Sequence, residues 1–125
     1  MTKEFLEKHS EYFYFVFRVI IGALFLLHGI QKLPIMLSLS FNLMFFAGLI
    51  ELLGGALVIL GLFTRYVALL GAVEMLVAYF TVHLPGGLNP LTNKGELALL
   101  FLAAFLVLLA YGAGKLSLDK KMNYH

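Results

Sequence analysis

Long apolar runs, each holding at most two charged side chains, are the feature that most restricts the fold of this chain. Four of them, at residues 12–33, 41–62, 66–84 and 96–113, approach the roughly 20 mostly apolar residues that a membrane-crossing helix needs. Hydrophobic residues make up 62% of the 125-residue chain and charged residues only 13%. A water-soluble four-helix bundle is the alternative, but no run has a polar face wide enough to meet water. The sequence therefore predicts one all-α, membrane-embedded domain over residues 1–125.

Short connections between the runs predict an up-down-up-down four-helix bundle with both termini on one side. Prolines and glycines in the longest connection, PGGLNPLTNKG at residues 85–95, prevent a helix from continuing through it. By the positive-inside rule, the basic residues place both termini in the cytoplasm, with the chain in the plasma or inner membrane. Six basic residues lie on the terminal side and two on the other: Lys3, Lys8, Arg65, Lys115, Lys120 and Lys121 against Lys32 and Lys94.

The composition also excludes several classes of function. The chain contains no cysteine, so thiol nucleophiles, disulfide exchange, iron–sulfur ligation and c-type haem attachment have no basis in it. The net charge is only +2, and without a basic patch nucleic acid is not an expected partner. No nucleotide-binding or hydrolase motif is present. The lipid bilayer is the partner that the composition predicts.

Two similar stretches, GLIELL at residues 48–53 and GAVEML at residues 71–76, each place a glutamate in the middle of an apolar run. Glu51, Glu74 and Arg18 lie where a charge costs about 2.5–3.5 kcal/mol even on the mildest insertion scale. In all four runs the ionisable residue shares a helical face with small residues, which mark close contacts between membrane helices. We therefore expect these faces to point into the bundle. In the fourth run that face carries Glu96, Ala103, Val107 and Ala110.

The pairing of these charges follows from the direction in which helical side chains lean. Because side chains lean toward the start of their helix, Glu74 is expected to reach the depth of Arg18 and pair with it. Glu51 leans the other way and is expected to be protonated or bonded to polar groups of the outer half. One cation cannot neutralise two carboxylates, so one of the two acids should keep its proton. The alternative is that the three groups only fix the register of the bundle, but a second acid is harder to explain by packing.

Polar residues also gather at the outer ends of the runs. They could form the mouth of a pocket with Glu51 at its floor, and His28, Lys32, His83 and Glu96 are the candidate ligand-binding residues among them. Regular helix geometry puts His83 about 180° from Glu74, so haem or metal ligation by two histidines would need a bend near Pro85 and is not favoured. The cluster comprises His28, Gln31, Lys32, His83, Asn89, Asn93 and Glu96.

Four blocks of sequence resemble the DoxX family of small four-span membrane proteins. They read RVIIGALFLLHGIQKL, GLIELLGGALVILGLFTR, EMLVAYFTVH and NKGELALLFLAAFLVLLAYGAGKLSLD, and their order and spacing are more specific than any single block. The resemblance implies a component of a membrane oxidoreductase, similar to the DoxD subunit of a thiosulfate:quinone oxidoreductase. Through some relatives it also implies links to detoxification of quinones or catechols, or to thiol-oxidative stress, in complexes with soluble redox proteins. The family pattern falls on Arg18, His28, Lys32, Glu51, Gly54, Gly55, Gly61, Thr64, Arg65, Glu74, His83, Gly95, Glu96, Gly112, Gly114, Ser117 and Asp119.

Three functions remain open on the sequence. The first is a quinone-interacting subunit, in which Arg18, His28 or Lys32 bonds the quinone carbonyls and Glu51 or Glu74 carries protons. The second is a non-catalytic membrane anchor or assembly partner for soluble redox proteins, docked through the two tails. The third is a small carrier or proton path, which would need a homo-oligomer because four spans are few for a transporter. Whether the chain is itself an enzyme is left open by all three.

Overall fold

The computed structural model describes residues 1–38 and 41–124, and within these it contains helices and no strand. The helices are α1 (Lys3–Lys8), α2 (Ser10–Gln31), α3 (Leu33–Leu37), α4 (Leu43–Leu60), α5 (Thr64–Ala78), α6 (Glu96–Tyr111) and α7 (Leu118–Lys121). Beyond α5 the chain continues as a π-helical turn, Tyr79–His83, and a short 3₁₀ turn, Leu84–Gly86. The predicted all-α bundle is confirmed, with α2, α4, α5 and α6 in the four predicted runs.

Length and composition decide which of these helices are suited to a membrane. Ser10–Gln31, Leu43–Leu60 and the continuous segment Thr64–Gly86 are each long and apolar enough to cross one. The fourth, Glu96–Tyr111, is apolar but has 16 residues, about 24 Å of helix against a hydrocarbon core of about 30 Å. Most exposed side chains on all four are leucine, valine, isoleucine or phenylalanine, which suits contact with lipid.

The helices begin and end at residues that supply the required caps. Asn42 accepts a hydrogen bond from the Phe45 amide at the start of α4, and Gly61 ends α4 in the left-handed conformation at φ 70°, where glycine has no steric penalty. The tight link to α5 leaves Phe63 at φ 54°. The start of α5 is capped from the far end of the chain, because Asp119 accepts hydrogen bonds from the amides of Phe63 and Thr64.

Glycines bring α2 and α4 into backbone contact, the most extensive packing in the bundle. A Cβ on Gly29 would lie 2.6 Å from the Leu52 nitrogen, and one on Gly55 would lie 2.5 Å from the Leu26 nitrogen. Small residues at such positions are how membrane helices gain van der Waals contact, since lipid supplies no hydrophobic drive between them. The prediction that small-residue faces point inward is therefore confirmed for the first two runs, and in the third Val67 and Gly71 of the predicted face are buried as well.

The fourth run packs differently from the prediction. Ala103, Val107 and Ala110 are exposed, as is Glu96, and the opposite face of α6 is buried. On that face the ring of Phe105 fills the space left by Gly71 of α5, with a Cβ on Gly71 only 2.7 Å from the ring. The glycine on α5 needs a large neighbour, so the aromatic face of α6 turns inward. The core contains Phe25, Val58, Val67, Ala68, Ala72, Met75, Ala98, Phe101, Phe105 and Leu108.

The bundle has two ends, which we name for what they carry. The terminal end holds both chain termini and the α4–α5 link, and the loop end holds the connections that follow α2 and α5. Within the bundle, α2 packs mainly against α4 and α5 mainly against α6, and the two pairs make fewer contacts with each other. Space between the pairs therefore remains near the loop end.

Candidate functional site

A buried ion pair joins α2 and α4 near the loop end. Lys32, just beyond α2, donates from Nζ to Oε1 of Glu51 at 2.9 Å, and the two side chains are 19% and 4% exposed. Gly48, one turn before Glu51, makes the approach possible, because a Cβ there would lie 3.0 Å from the Lys32 Cβ. Glu51 was expected to be protonated or bonded to a polar group, and the structure shows a bond, to Lys32 at the loop end.

The pair leaves one carboxylate oxygen unused. Oε2 of Glu51 is buried and has no hydrogen-bond partner among residues 1–38 and 41–124. An unsatisfied buried polar atom typically costs about 1–3 kcal/mol, so native proteins keep few of them without a reason. This oxygen is therefore the first atom to consider for binding a ligand or a proton.

The second glutamate lies near the first. Glu74 of α5 is partly buried, and its Oε1 has no hydrogen-bond partner in the described part of the chain. It interacts electrostatically with Glu51 as a like charge and with Lys32 as an opposite charge. Two carboxyl groups and one ammonium group thus share this part of the bundle.

The predicted Arg18–Glu74 pair is wrong. Arg18 is 1% exposed and donates instead to backbone carbonyls at the terminal end: Nε to Val58 at 2.9 Å, Nη2 to Ile59 at 3.2 Å and Nη1 to Ala113. The last carbonyls of a helix have no intrahelical partner and carry partial negative charge. Arg18 satisfies two of them on α4 and one beyond α6, so it holds helix ends together and does not reach the acids.

A cavity of about 260 Å³ lies beside the ion pair, between the two helix pairs. The side chain of Glu51 forms part of its wall, and the ring of His28 meets the ring of Phe101 edge-on at 5.6 Å. Of the polar residues predicted to form the mouth of a pocket above Glu51, only His28, Lys32 and His83 line this cavity together with Glu51, and the rest of its wall is mostly apolar. Its lining comprises Phe25, His28, Lys32, Glu51, Met75, Ala78, His83, Lys94, Leu97, Ala98 and Phe101.

His83 reaches this cavity because the helix changes form. Residues Tyr79–His83 are a π-helical turn, which is wider than an α-turn and rotates less per residue. The expected 180° separation from Glu74 assumed a regular α-helix, and Glu74 itself does not line the cavity. The His83 ring lies with Nδ1 3.3 Å from the Asn93 carbonyl oxygen. Turns of this kind are frequent at functional sites.

Other members of the predicted cluster lie outside the cavity. Glu96 is exposed and does not line it, and Gln31 is exposed as well. Asn93 is buried but structural, since its amide donates to the Gly87 carbonyl at 2.9 Å and its Oδ1 accepts from the Gly95 amide at 2.8 Å. Among the residues that the structure describes, no group of three or more histidine and acidic side chains is suited to hold a metal ion.

Lys94 and the aromatic walls were missed by the sequence reasoning. Lys94 lines the cavity and has a left-handed backbone conformation at φ 65°. The sequence NKG gives no pattern from which this position in the cavity could be predicted. Phe25 was expected to face inward with Arg18 and Gly22, and it does, but its place in a cavity wall was not predicted. Phe101 lies on the face of α6 that was expected to meet lipid.

Comparisons with known proteins agree with this architecture. The DoxX family matches residues 13–84. An uncharacterized protein of Haemophilus influenzae is 41% identical over 127 residues, which cover 93% of this chain and 95% of that protein. A Bacillus subtilis protein named Putative oxidoreductase CatD is 33% identical over 111 residues, covering 82% of this chain and 81% of that one. No solved structure matches.

The family match covers more than half of the chain, and the Haemophilus relative is similar over nearly its whole length. The long apolar helices fit the same conclusion. This chain is a membrane protein of the DoxX family.

Proposed function

We propose that this protein is the quinone-interacting membrane subunit of an oxidoreductase or detoxification complex. The observation that carries the proposal is Oε2 of Glu51, a buried carboxylate oxygen without a partner in the described residues, on a side chain that lines a largely apolar cavity. Lys32 holds the other oxygen of the same carboxylate. The relative named as an oxidoreductase supports the reaction class.

The cavity residues fit a quinone ring. A quinone presents two carbonyl oxygens that accept hydrogen bonds, and donors on the wall include Lys32, Lys94 and His28. Phe25 and Phe101 supply apolar faces for the ring. At about 260 Å³ the space is slightly below the usual 300–1,000 Å³ of ligand pockets, so it suits a single-ring head group whose tail stays in the bilayer.

Proton handling is the part that the acids would perform. Reduction of a quinone to a quinol takes two electrons and two protons. Glu51 and Glu74 share one ammonium group, so the low-dielectric interior favours a proton on one of them. Glu51 lines the cavity and would donate to the quinone, whereas Glu74 does not line it and would act through Glu51. After the first transfer the carboxyl group would take up a proton from water and donate the second. Lys32 would hold the Glu51 carboxylate in place through this exchange. Arg18 has no part in it, because its donors are used at the terminal end.

The electrons would come from a soluble redox protein. With six basic residues at the terminal end and two at the loop end, the positive-inside rule places both termini in the cytoplasm. The cavity then lies toward the outer half of the plasma or inner membrane. α1 contains no buried residue, which leaves it accessible to a partner at the cytoplasmic surface.

Thermal stability of the purified protein with short-tailed ubiquinone and menaquinone analogues tests the proposal. Added quinone should raise the melting temperature of the native protein, and Glu51→Gln should remove most of that increase. Glu96→Gln is the matched control, since Glu96 is an exposed carboxylate at the same end of the bundle but outside the cavity.

Two outcomes would count against a quinone site. The native protein could show no shift with any quinone, or Glu96→Gln could abolish the shift as fully as Glu51→Gln does. Difference infrared spectroscopy of the carboxyl stretch tests the proton separately. Loss of a protonated-carboxyl band in Glu51→Gln or Glu74→Gln would support a shared proton, and two ionised carboxylates at neutral pH would refute it.

The second candidate, a membrane anchor for soluble redox proteins, is favoured by the exposed α1. Pull-down of soluble proteins with the full chain and with a chain lacking residues 1–8 distinguishes it. Capture that depends on α1 and survives Glu51→Gln, without any quinone effect, would favour the anchor.

A further inference from the structure

A second, larger cavity of about 760 Å³ lies at the terminal end, far from the Glu51 carboxylate. It is formed between the first turn of α5 and the last turn of α6, and the segment that follows α6 closes one side. Its volume is within the range of sites that hold drug-sized ligands. None of its lining residues belongs to the cavity at the loop end.

The charges around this cavity are predominantly positive. Arg65, Lys115 and Lys120 line it, and no ion pair of these three occurs within residues 1–38 and 41–124. The two acids on its wall are already engaged. Glu11 accepts from the Lys115 backbone amide at 2.9 Å, and Asp119 caps α5. Among the described residues, the lining thus carries three cations and two carboxylates. Because both carboxylates accept from backbone amides and neither is paired with a cation of the cavity in the described part of the chain, the three cations remain available to an anionic ligand.

The apolar residues of the cavity are arranged by depth. Tyr66 and Tyr111 lie at the start of α5 and the end of α6 and are 75% and 74% exposed, as expected for aromatic residues at a membrane surface. One turn further into the bilayer on α5, Leu69 lines the same cavity and is 50% exposed. From the end of the bundle inward, the side chains that line the cavity are thus first basic, then aromatic and then aliphatic.

We propose that this cavity binds the phosphate-bearing head group of an anionic membrane phospholipid. Arg65, Lys115 and Lys120 would face the phosphate, and the acyl chains would run past Leu69 along the exposed surface of α5 and α6. A free phosphate or a soluble phosphorylated compound would use only the cations and would gain nothing from the tyrosines and leucines. Basic pockets between membrane helices are a known means of holding anionic head groups.

Native mass spectrometry of the full-length protein with added lipid measures this directly. Phosphatidylglycerol should bind more tightly than phosphatidylcholine with the same acyl chains. Each basic residue near such a head group strengthens binding by about fivefold. Lys115→Gln and Lys120→Gln should therefore each weaken the binding of phosphatidylglycerol by about that factor. Lys121→Gln is the matched control, because Lys121 lies in the same tail but does not line the cavity.

Arg65→Gln would complete the series. Because Arg65 packs closely against Gly112, this substitution could disturb folding, and Arg65→Lys, which keeps the charge, is the check. Equal affinity for the two lipids would overturn the proposal, as would an equal loss in Lys121→Gln. Displacement of phosphatidylglycerol by inorganic phosphate at similar concentration would show that a soluble anion, not a lipid, is the ligand. Glu51→Gln should leave lipid binding unchanged, which separates this site from the quinone site.

Discussion

Replacing Lys32 by methionine tests the ion pair on which the candidate site depends. The Nζ–Oε1 distance is 2.9 Å, and the two side chains are 19% and 4% exposed. At an effective dielectric constant near 20, charges this close attract by about 6 kcal/mol, but the cost of removing both from water offsets much of that. Lys32→Met leaves the Glu51 carboxylate buried without its counter-charge. We expect a loss of about 3 kcal/mol in the free energy of unfolding.

A double-mutant cycle isolates the interaction from other effects of the substitutions. Unfolding in mixed micelles is measured for the native protein, Lys32→Met, Glu51→Gln and the double variant. Because the double variant removes both members of the pair and leaves neither without its partner, it should recover about 2 kcal/mol relative to the sum of the single losses. The other ion pair among the described residues, Lys3–Glu7 at 3.7 Å and largely exposed, is the matched control and should give a coupling close to zero. A coupling at residues 32 and 51 no larger than at residues 3 and 7 would refute the buried pair.

Further predictions concern the terminal end and the helix contacts. Arg18→Gln should lower the free energy of unfolding by about 2–4 kcal/mol, because three carbonyls lose a charged donor. The quinone-induced thermal shift should remain in this variant. Loss of that shift without loss of stability would show that Arg18 takes part in quinone binding. Asp119→Ala should cost about 1–2 kcal/mol by uncapping α5, and unchanged thermal unfolding would contradict the capping role. Gly55→Ala should cost about 1–3 kcal/mol in thermal or denaturant unfolding by forcing α2 and α4 apart. Gly86→Ala is its control, since a Cβ there meets nothing closer than 3.8 Å, and equal losses would refute the close contact.

Helix geometry explains which parts of the site could be predicted from the sequence. Glu51 was predicted to face inward because a charge in lipid is costly and because Gly48, Gly54 and Gly55 share its face, and the structure buries it at 3% exposure. His28 and Lys32 were placed at the correct end of the bundle by counting residues along the helix. These inferences use only distance along one helix and the direction of its faces, which are local properties.

The errors arise where a side chain chooses among partners on other helices. Both Arg18 and Lys32 are cations on α2, and position along the helix alone does not say which of them meets an acid. The segment after α6 folds back and brings the Ala113 carbonyl to Arg18, so the arginine is satisfied there and Lys32 is left for Glu51. The π-helical turn that carries His83 into the cavity has no clear sequence signal either.

The sequence by itself determined that the chain crosses a membrane as a helical bundle and that its two central glutamates need partners. Both conclusions follow from transfer free energies that each segment meets on its own: apolar runs of sufficient length and charges too costly to face lipid. Only the tertiary structure decided that Lys32 is the partner of Glu51, that α6 turns its phenylalanines inward, and that a cavity stays open between the helix pairs. Those outcomes depend on shape, because in lipid every apolar face is equally tolerated and the fit of glycine against backbone or ring selects the one that is buried.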